Sequence, residues 1–238
     1  YYTKPLISDQ VAIGYFRNFK KNMYEASSEI YYKWQQNVTD YKNGAELFFN
    51  PELEQELLEG EARSYGLELM IKKNKGKLTG RVSYTLSQSE RKVDSKYAEE
   101  RINNGEYYAA NQNKLHDLTI ITSYEFTPRF SLSGNFSYSS GRPYTPASSK
   151  YVYQGITLSH YELRNNDQIP AYHRLDLSAT LKNKKKKDGQ KWESSWNFSI
   201  YNLYARKNVF SYNFGAESVT RLSILGTIIP AVAYNFKF

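Results

Sequence analysis

The closing segment, residues 228–238, constrains the fold most because its side chains alternate between two faces. Its larger apolar side chains share one face and its small or polar ones share the other: Val232, Tyr234, Phe236 and Phe238 against Ala231, Ala233, Asn235 and Lys237. A period of two predicts a β-strand. An outer-membrane β-barrel would cover the apolar face with lipid and pair the edge of this strand. From these residues alone, the last strand of a soluble sandwich remains the alternative.

The composition favours the barrel. The chain is polar, with a mean hydropathy of −0.71, yet 16% of its residues are aromatic, including 23 Tyr and 12 Phe. No stretch approaches the ~18–20 consecutive apolar residues of a membrane helix. In a membrane barrel, only every second residue of a strand faces lipid. A negative mean hydropathy is therefore compatible with crossing a membrane. Tyr rings suit the interfacial girdles. Cysteine is absent, which excludes disulfides and thiolate metal sites.

The same alternation predicts eight earlier strands, which begin or lie within residues 11–15, 24–34, 65–71, 78–86, 118–126, 130–138, 175–181 and 196–200. Short and long connections alternate between them. The short turns are residues 19–23, 74–77, 127–129 and 182–189, and the long segments are 35–63, 88–114, 140–171 and 205–221. This is the pattern of an antiparallel up-and-down barrel with periplasmic turns and larger extracellular loops. Placing Phe238 at the periplasmic end puts every short turn in the periplasm.

Nine strands do not close a barrel by themselves, because bacterial single-chain barrels use even numbers of strands. The whole of residues 1–238 is therefore expected to be the C-terminal segment of a larger transmembrane barrel. Tyr1 is not an initiator Met and no signal peptide follows it, so we expect a mature chain or a fragment.

The alternation also predicts which side chains face lipid and which face the lumen. The residues expected to face lipid are Leu132, Phe136, Leu177, Trp196, Phe198 and Val232. Those expected to face the lumen are Ser133, Asn135, Asp176, Ser195 and Asn197.

Several segments, in order along the chain, resemble TonB-dependent outer-membrane receptors, and more narrowly those with a carboxypeptidase-regulatory-like domain before the plug. The segments are residues 60–73, 80–91, 116–120, 138–145, 169–177, 201–208 and 230–238. The resemblance implies a barrel of about 22 strands, of which these are the last nine. It also implies energised import of a scarce nutrient across the outer membrane of a Gram-negative bacterium.

The expected partners follow from that resemblance. They are the remaining strands and the plug of the same receptor, the TonB complex acting through the missing N-terminal part, and outer-membrane lipid. A surface lipoprotein is left open as a further partner. The terminal aromatic residues Tyr234, Phe236 and Phe238 resemble the signal read by the barrel-assembly machinery. A barrel with a structural, secretion or assembly role and no import activity is the alternative function.

No catalytic constellation is present, and neither an enzyme nor a cofactor is predicted. His116, His160 and His173 lack metal-ligand spacing. The basic run at residues 182–187 lies between two strands, so we expect a solvated turn rather than a nucleic-acid site. Arg174 and Asp176 share a strand face and are expected to pair in the lumen wall.

Residues 50–60 form the one segment predicted to be helical. Asn50 is a plausible N-cap, Pro51 suits the first helical position and Gly60 supplies a stop. Leu53, Leu57 and Leu58 would make one apolar stripe. The helix would either fold down a long loop, or pack over the barrel mouth or against a surface partner.

Aromatic residues are frequent in the long segments. Tyr rings with polar neighbours suit sugar stacking, capture of an iron chelate or contact with lipid headgroups. The candidate ligand contacts are Tyr107, Tyr108, Tyr144, Tyr151, Tyr153, Tyr161 and Tyr212.

Overall fold

The computed structural model describes residues 3–45, 47, 49–183, 193–215 and 218–237. Their strands are β1 (Ile7–Phe19), β2 (Tyr24–Tyr41), β3 (Leu57–Lys73), β4 (Leu78–Lys92), β5 (Tyr108–Ala109), β6 (His116–Glu125), β7 (Phe130–Ser139), β8 (Pro143–Tyr144), β9 (Ser149–Tyr153), β10 (Ile156–His160), β11 (Asp167–Gln168), β12 (Tyr172–Lys182), β13 (Glu193–Tyr201), β14 (Val209–Phe214), β15 (Val219–Ser223) and β16 (Ile229–Lys237). Single 3₁₀ turns lie at Leu53–Glu56, Ala98–Glu100 and Asn103–Gly105. No helix in these ranges is long and apolar enough to cross a membrane.

Nine long strands form one antiparallel sheet in the order β1-β2-β3-β4-β6-β7-β12-β13-β16, with the short β5 paired to β4. Each long strand is hydrogen-bonded to the long strand that comes next in the chain, and the short strands of the connections are skipped in this order. The meander predicted from the sequence is confirmed. Three small pairs, β8 with β11, β9 with β10 and β14 with β15, lie within the long connections. The sheet is not closed within the part of the chain that the structure describes.

The register divides apolar from polar side chains across the whole sheet. Leu177 lies opposite Gly134 and Ile200, whereas the neighbouring Asp176 lies opposite Asn135 on the other face. The same division continues from β13 to β16, where Phe198 pairs with Val232. The two sets predicted from the alternation are thus on opposite faces. The apolar face is open: 48% of Phe198 and 61% of Val232 are exposed.

The buried core lies at one end of the sheet instead of between two layers. Leu58, Val93, Ile102 and Tyr108 form its hydrophobic cluster. These residues come from β3 and from the long connection that follows β4. The core therefore forms where the long connections fold over the upper ends of β2, β3 and β4.

The structure contradicts two expectations about residues 35–63. The segment is not one long loop, because β2 continues to Tyr41 and β3 begins at Leu57. The predicted helix over residues 50–60 is wrong: one 3₁₀ turn forms at Leu53–Glu56, and Asn50 Oδ1 accepts a hydrogen bond from the backbone N–H of Glu52 at 2.8 Å. Leu57 and Leu58 are strand residues because they pair with Tyr41 and Asp40. Strand pairing outweighs the local helix signals here.

A β-bulge at Asn37 changes which residues of β2 face inward. The register shifts between Gln36 and Val38, and Asn37 has a left-handed φ of 58°. Before the bulge, odd-numbered residues such as Gln35 share the polar face. After it, even-numbered residues take that face, so Val38 and Asp40 point toward the core. The bulge therefore places a carboxylate inside the folded connections.

Candidate ligand-binding mouth

The long connections between β2 and β3, β4 and β6, β7 and β12, and β13 and β16 all leave the same end of the sheet. We call this end the mouth. The described tight turns, such as Phe19–Tyr24 and Lys73–Leu78, lie at the opposite end. A ligand that approaches from the side of the mouth meets the connections first.

Asp40 joins four segments of the mouth. Arg164 Nη1 donates to Asp40 Oδ1 at 2.8 Å, and the Tyr108 hydroxyl donates to Oδ2 at 2.5 Å. Arg91 Nη1 lies 3.5 Å from the same Oδ2. The Asp40 and Arg164 side chains are only 14% and 16% exposed. Because the pair is largely shielded from water, its attraction is screened less than that of a surface ion pair, and removal of one partner would leave the other charge unpaired in a poorly hydrated place.

Two asparagines fix the connections around this carboxylate. Asn103 exchanges two hydrogen bonds with the backbone of Arg164, at 2.7 and 2.9 Å. Asn165 donates to the Ala109 carbonyl at 2.8 Å. Both asparagines have left-handed φ angles, of 50° and 54°, which Asn tolerates better than most residues. The β7–β12 connection is thereby tied to the β4–β6 connection.

Tyr108 has a structural place in this network. Its ring is buried in the hydrophobic cluster, with 5% of the residue exposed. Burial, and then its hydrogen bond to Asp40, raise the pKa of Tyr108 well above the ordinary value for tyrosine. A ligand could reach this ring only if the connections moved apart.

Tyr144, Tyr212 and Phe214 form a partly exposed aromatic cluster, which we call the aromatic platform. The ring centroids of Tyr144 and Tyr212 are 4.9 Å apart, and Phe214 lies 6.3 Å from Tyr144. The Tyr144 hydroxyl donates to Asp167 Oδ2 at 2.9 Å. Partial burial, and then this hydrogen bond, raise the pKa of Tyr144 to about 12. The Arg221 guanidinium lies 6.0 Å from the Tyr212 centroid.

The other candidate tyrosines are dispersed. Tyr107 lies beside the outward-facing residues of β3. The Arg63 guanidinium is 3.8 Å from its ring, and its hydroxyl donates a hydrogen bond to Glu61 Oε1 at 2.9 Å. Tyr151 and Tyr153 belong to β9, and Tyr161 follows β10; all three are largely exposed. Of the seven candidates, only Tyr144 and Tyr212 are in ring contact. A ligand role for any of them stays a prediction.

Arg174 and Asp176 form the expected pair on the polar face, with Nη2 and Oδ2 2.9 Å apart. Arg174 Nη1 also donates to the hydroxyls of Tyr172 and Tyr201, at 2.9 and 2.7 Å. Asp176 Oδ1 accepts the backbone N–H of Asn202. This network fixes the upper ends of β12 and β13.

Asn202 is the residue that sequence reasoning missed. It is 1% exposed, and its Nδ2 donates to the carbonyls of Arg206, Leu225 and Thr227. Its φ of 55° allows the chain to turn directly after β13. An asparagine immediately after an alternating strand was the signal, since Asn is favoured where a backbone turns through this conformation.

The polar face carries two acidic residues directly opposite each other, Glu29 on β2 and Glu68 on β3. Facing like charges destabilise a sheet. Neither carboxylate is paired with a cation among the described residues, although Glu25, four residues before Glu29 on β2, pairs with Lys72. Above them, a cavity of about 320 Å³ is lined mainly by polar side chains, including Ser64, Ser89 and Asn113.

Comparison with known proteins identifies the sheet. A family model described as "TonB dependent receptor-like, beta-barrel" matches residues 2–203. The chain belongs to the TonB-dependent receptor family. Proteins of this family lie in the outer membrane of Gram-negative bacteria, so the exposed apolar face of this barrel segment faces lipid and the polar face lines the lumen. The family consists of receptors and transporters.

Solved TonB-dependent receptors share the fold. The ferric-catecholate import receptor Fiu from Escherichia coli K12 is 14% identical with a TM-score of 0.62, and the ferripyoverdine receptor of Pseudomonas aeruginosa is 13% identical with a TM-score of 0.61. Each alignment covers 98% of this chain, but only 28% and 27% of the respective receptor. The FrpB iron transporter of Neisseria meningitidis is 14% identical with a TM-score of 0.62, over 99% of this chain and 32% of its own. No curated sequence matches the chain.

Proposed function

We propose that this chain forms the C-terminal barrel wall and extracellular loops of an outer-membrane importer for a scarce nutrient. The observation that carries the proposal is the polar lumen wall, where Glu29 and Glu68 face each other without a cation among the described residues. A lumen wall that contacts only water gains no stability from two carboxylates placed opposite each other. A wall that encloses a second protein element can use it to bind cationic side chains.

The expected second element is a plug, supplied with the remaining strands by sequence upstream of this segment. Arg or Lys side chains of such a plug would neutralise Glu29 and Glu68 inside the barrel. The TonB complex would then act on the plug through its N-terminal part. A carboxypeptidase-regulatory-like domain before the plug, and a surface lipoprotein partner, belong to the same proposal.

We infer the class of ligand from the chemistry of the aromatic platform. Flat rings bordered by Asp167 and Arg221 can stack on the sugar rings of an oligosaccharide or on the aromatic groups of an iron chelate. The named functions of the similar structures, ferric-catecholate import and ferripyoverdine binding, favour the iron chelate. Tyr144 and Tyr212 are the residues that we expect to contact it.

The test is the double substitution Glu29→Gln and Glu68→Gln in the full-length receptor. We expect normal insertion into the outer membrane, but severalfold lower energy-dependent uptake of labelled iron chelates per inserted molecule. Entry of large antibiotics should rise, because the plug is held less firmly. The control replaces Glu99 and Glu106 by Gln, which removes the same charge from an extracellular connection.

Unchanged uptake and unchanged antibiotic entry in the Glu29/Glu68 variant would reject the plug-binding role of these carboxylates. A wild-type receptor that inserts normally and shows no energy-dependent uptake of iron chelates or oligosaccharides would instead favour a barrel with a structural, secretion or assembly role.

A further inference from the structure

Three cations cluster on the lipid-facing side of the sheet, at the end with the tight turns. The Arg17 guanidinium lies 4.8 Å from the ring centroid of Phe19. The Lys20 and Lys73 ammonium groups lie 5.8 and 5.9 Å from the ring of Tyr24. Phe19, Tyr24 and Lys73 form one row across β1, β2 and β3. The cations therefore sit at the periplasmic edge of the apolar surface.

None of these three cations forms an ion pair with a carboxylate in the ranges that the structure describes. Glu25, next to Tyr24, faces the lumen instead, where it contacts Lys72 at 3.5 Å and accepts a hydrogen bond from Asn74 at 2.7 Å. The outward cluster thus presents uncompensated positive charge at the depth where lipid headgroups begin.

A groove runs from this cluster into the apolar face. Its floor is made by the small residues Ala26 and Ser28 of β2. Arg17 and Tyr15 of β1 flank them on one side, and Ile71 and Leu69 of β3 flank them on the other. The walls are two strand spacings apart, about 10 Å, which is wide enough for an extended acyl chain. Tyr15 and Ile71 are 59% and 62% exposed, so the walls are open to lipid.

We propose that this surface is a binding site for an anionic phospholipid of the inner leaflet, with phosphatidylglycerol as its simplest representative. The headgroup phosphate would lie among Arg17, Lys20 and Lys73, and one acyl chain would follow the groove over Ala26. Lys and Arg side chains near a membrane extend their charged ends to the headgroups, and each attracts anionic lipid. The rings of Phe19 and Tyr24 orient all three side chains by cation–π contact.

The test measures lipid binding to the full-length receptor in detergent micelles by native mass spectrometry. Three probes are titrated: phosphatidylglycerol, phosphatidylcholine and acyl-free glycerophosphoglycerol. We expect phosphatidylglycerol to bind at least about tenfold more tightly than either of the others. The variant Arg17→Gln/Lys20→Gln/Lys73→Gln should lose that preference, since each cation contributes to attraction of anionic lipid.

The matched control Lys42→Gln/Lys96→Gln/Lys207→Gln removes three charges from extracellular connections and should retain the preference. Ala26→Leu fills the groove and should weaken the binding of phosphatidylglycerol severalfold, without affecting the binding of glycerophosphoglycerol. Heat-modifiable gel mobility confirms folding of each variant, and the comparison of lipids on the wild-type receptor decides the matter if the triple variant does not fold.

Equal binding of phosphatidylglycerol and phosphatidylcholine to the wild-type receptor would overturn the proposal. So would an equal loss in the control variant, which would indicate net charge alone. Binding of glycerophosphoglycerol as tight as that of phosphatidylglycerol would indicate a free-phosphate site instead of a lipid site.

Discussion

Adjacent residues of this chain meet different media. Leu177 is on the lipid face opposite Gly134 and Ile200, and Ser178 is on the lumen face opposite Ser133 and Ser199. One peptide unit therefore separates a position where charge is costly from one where it is hydrated. Residue types along β12 follow this division and not any local propensity.

The two positions give a matched pair of substitutions. Leu177→Arg should lower the free energy of unfolding by about 2–4 kcal/mol, because the charge enters hydrocarbon near the middle of the membrane. Ser178→Arg should have a mild effect, since its side chain extends into the lumen. Urea unfolding of the full-length receptor in liposomes measures both, and equal costs at the two positions would contradict the assignment of faces.

Tyr144 gives a prediction about pH. Its folded pKa is raised to about 12, above the ordinary value for tyrosine, and its hydroxyl donates to Asp167 only while protonated. Because the folded pKa is raised, the hydrogen bond to Asp167 contributes fully to stability below about pH 10. That contribution is lost as the pH rises through about 12. Labelled-tyrosine NMR of the receptor should show, among the late-titrating tyrosines, a signal near pH 12 that Tyr144→Phe removes. If that signal titrates near pH 10, the contact with Asp167 is absent in solution.

At the scale of elements, the bulge at Asn37 controls what the upper part of β2 contributes. Deleting Asn37 should leave Asp40 facing inward, because Val38 already follows Gln36 in the pairing of β2 with β3. Deleting Thr39 should instead turn Asp40 outward, because one residue of register exchanges the two faces. The ion pair with Arg164 would be lost, and the connections of the mouth should become sensitive to external protease. Deleting Gly44, which lies in the connection itself with a φ of 78°, is the control and should leave the Asp40–Arg164 pair intact. Protection equal to wild type after deletion of Thr39 would contradict this role.

The strands in the membrane could be predicted from the sequence, and the mouth could not. Between the girdles, lipid and water impose strict alternation, so segments such as residues 130–138 show their strand and its faces directly. Above the membrane that constraint ends. Leu57 and Leu58 match a helical pattern locally but pair with β2. The small strands of the long connections are too short for a period of two to identify them.

The contacts of the candidate site depend on distant parts of the chain. Asp40 and Arg164 are 124 residues apart, and no spacing rule brings them together. Tyr144 and Tyr212 could be proposed as aromatic residues in long segments, but their ring contact follows from the placement of β8 beside β14. The Arg174–Asp176 pair was predictable because both residues lie on one strand, two positions apart.

At the scale of the whole molecule, the closing strand serves assembly in our account. Tyr234 and Phe236 lie on the exposed apolar face of β16, opposite Trp196 and Ser194; Phe238, the last residue of the expected signal, lies outside the described residues. A free strand edge can be recognised by pairing with another sheet edge. Deleting Phe238, or adding a charged tail after it, should lower the amount of inserted receptor more than uptake per inserted molecule. Normal insertion with lost uptake would assign this terminus to transport.

One face of this nine-stranded segment contacts lipid and the other lines the lumen. The chain contains no cysteine, so single cysteines can be placed along β12 and β13 of the full-length receptor, with any upstream cysteine replaced by serine, and labelled with a fluorophore in outer-membrane vesicles. We predict that labels at 177, 179 and 198 are quenched by brominated lipid, and labels at 178, 180 and 197 by aqueous iodide. Quenching that fails to alternate with a period of two, or that alternates in the opposite sense, would contradict the account.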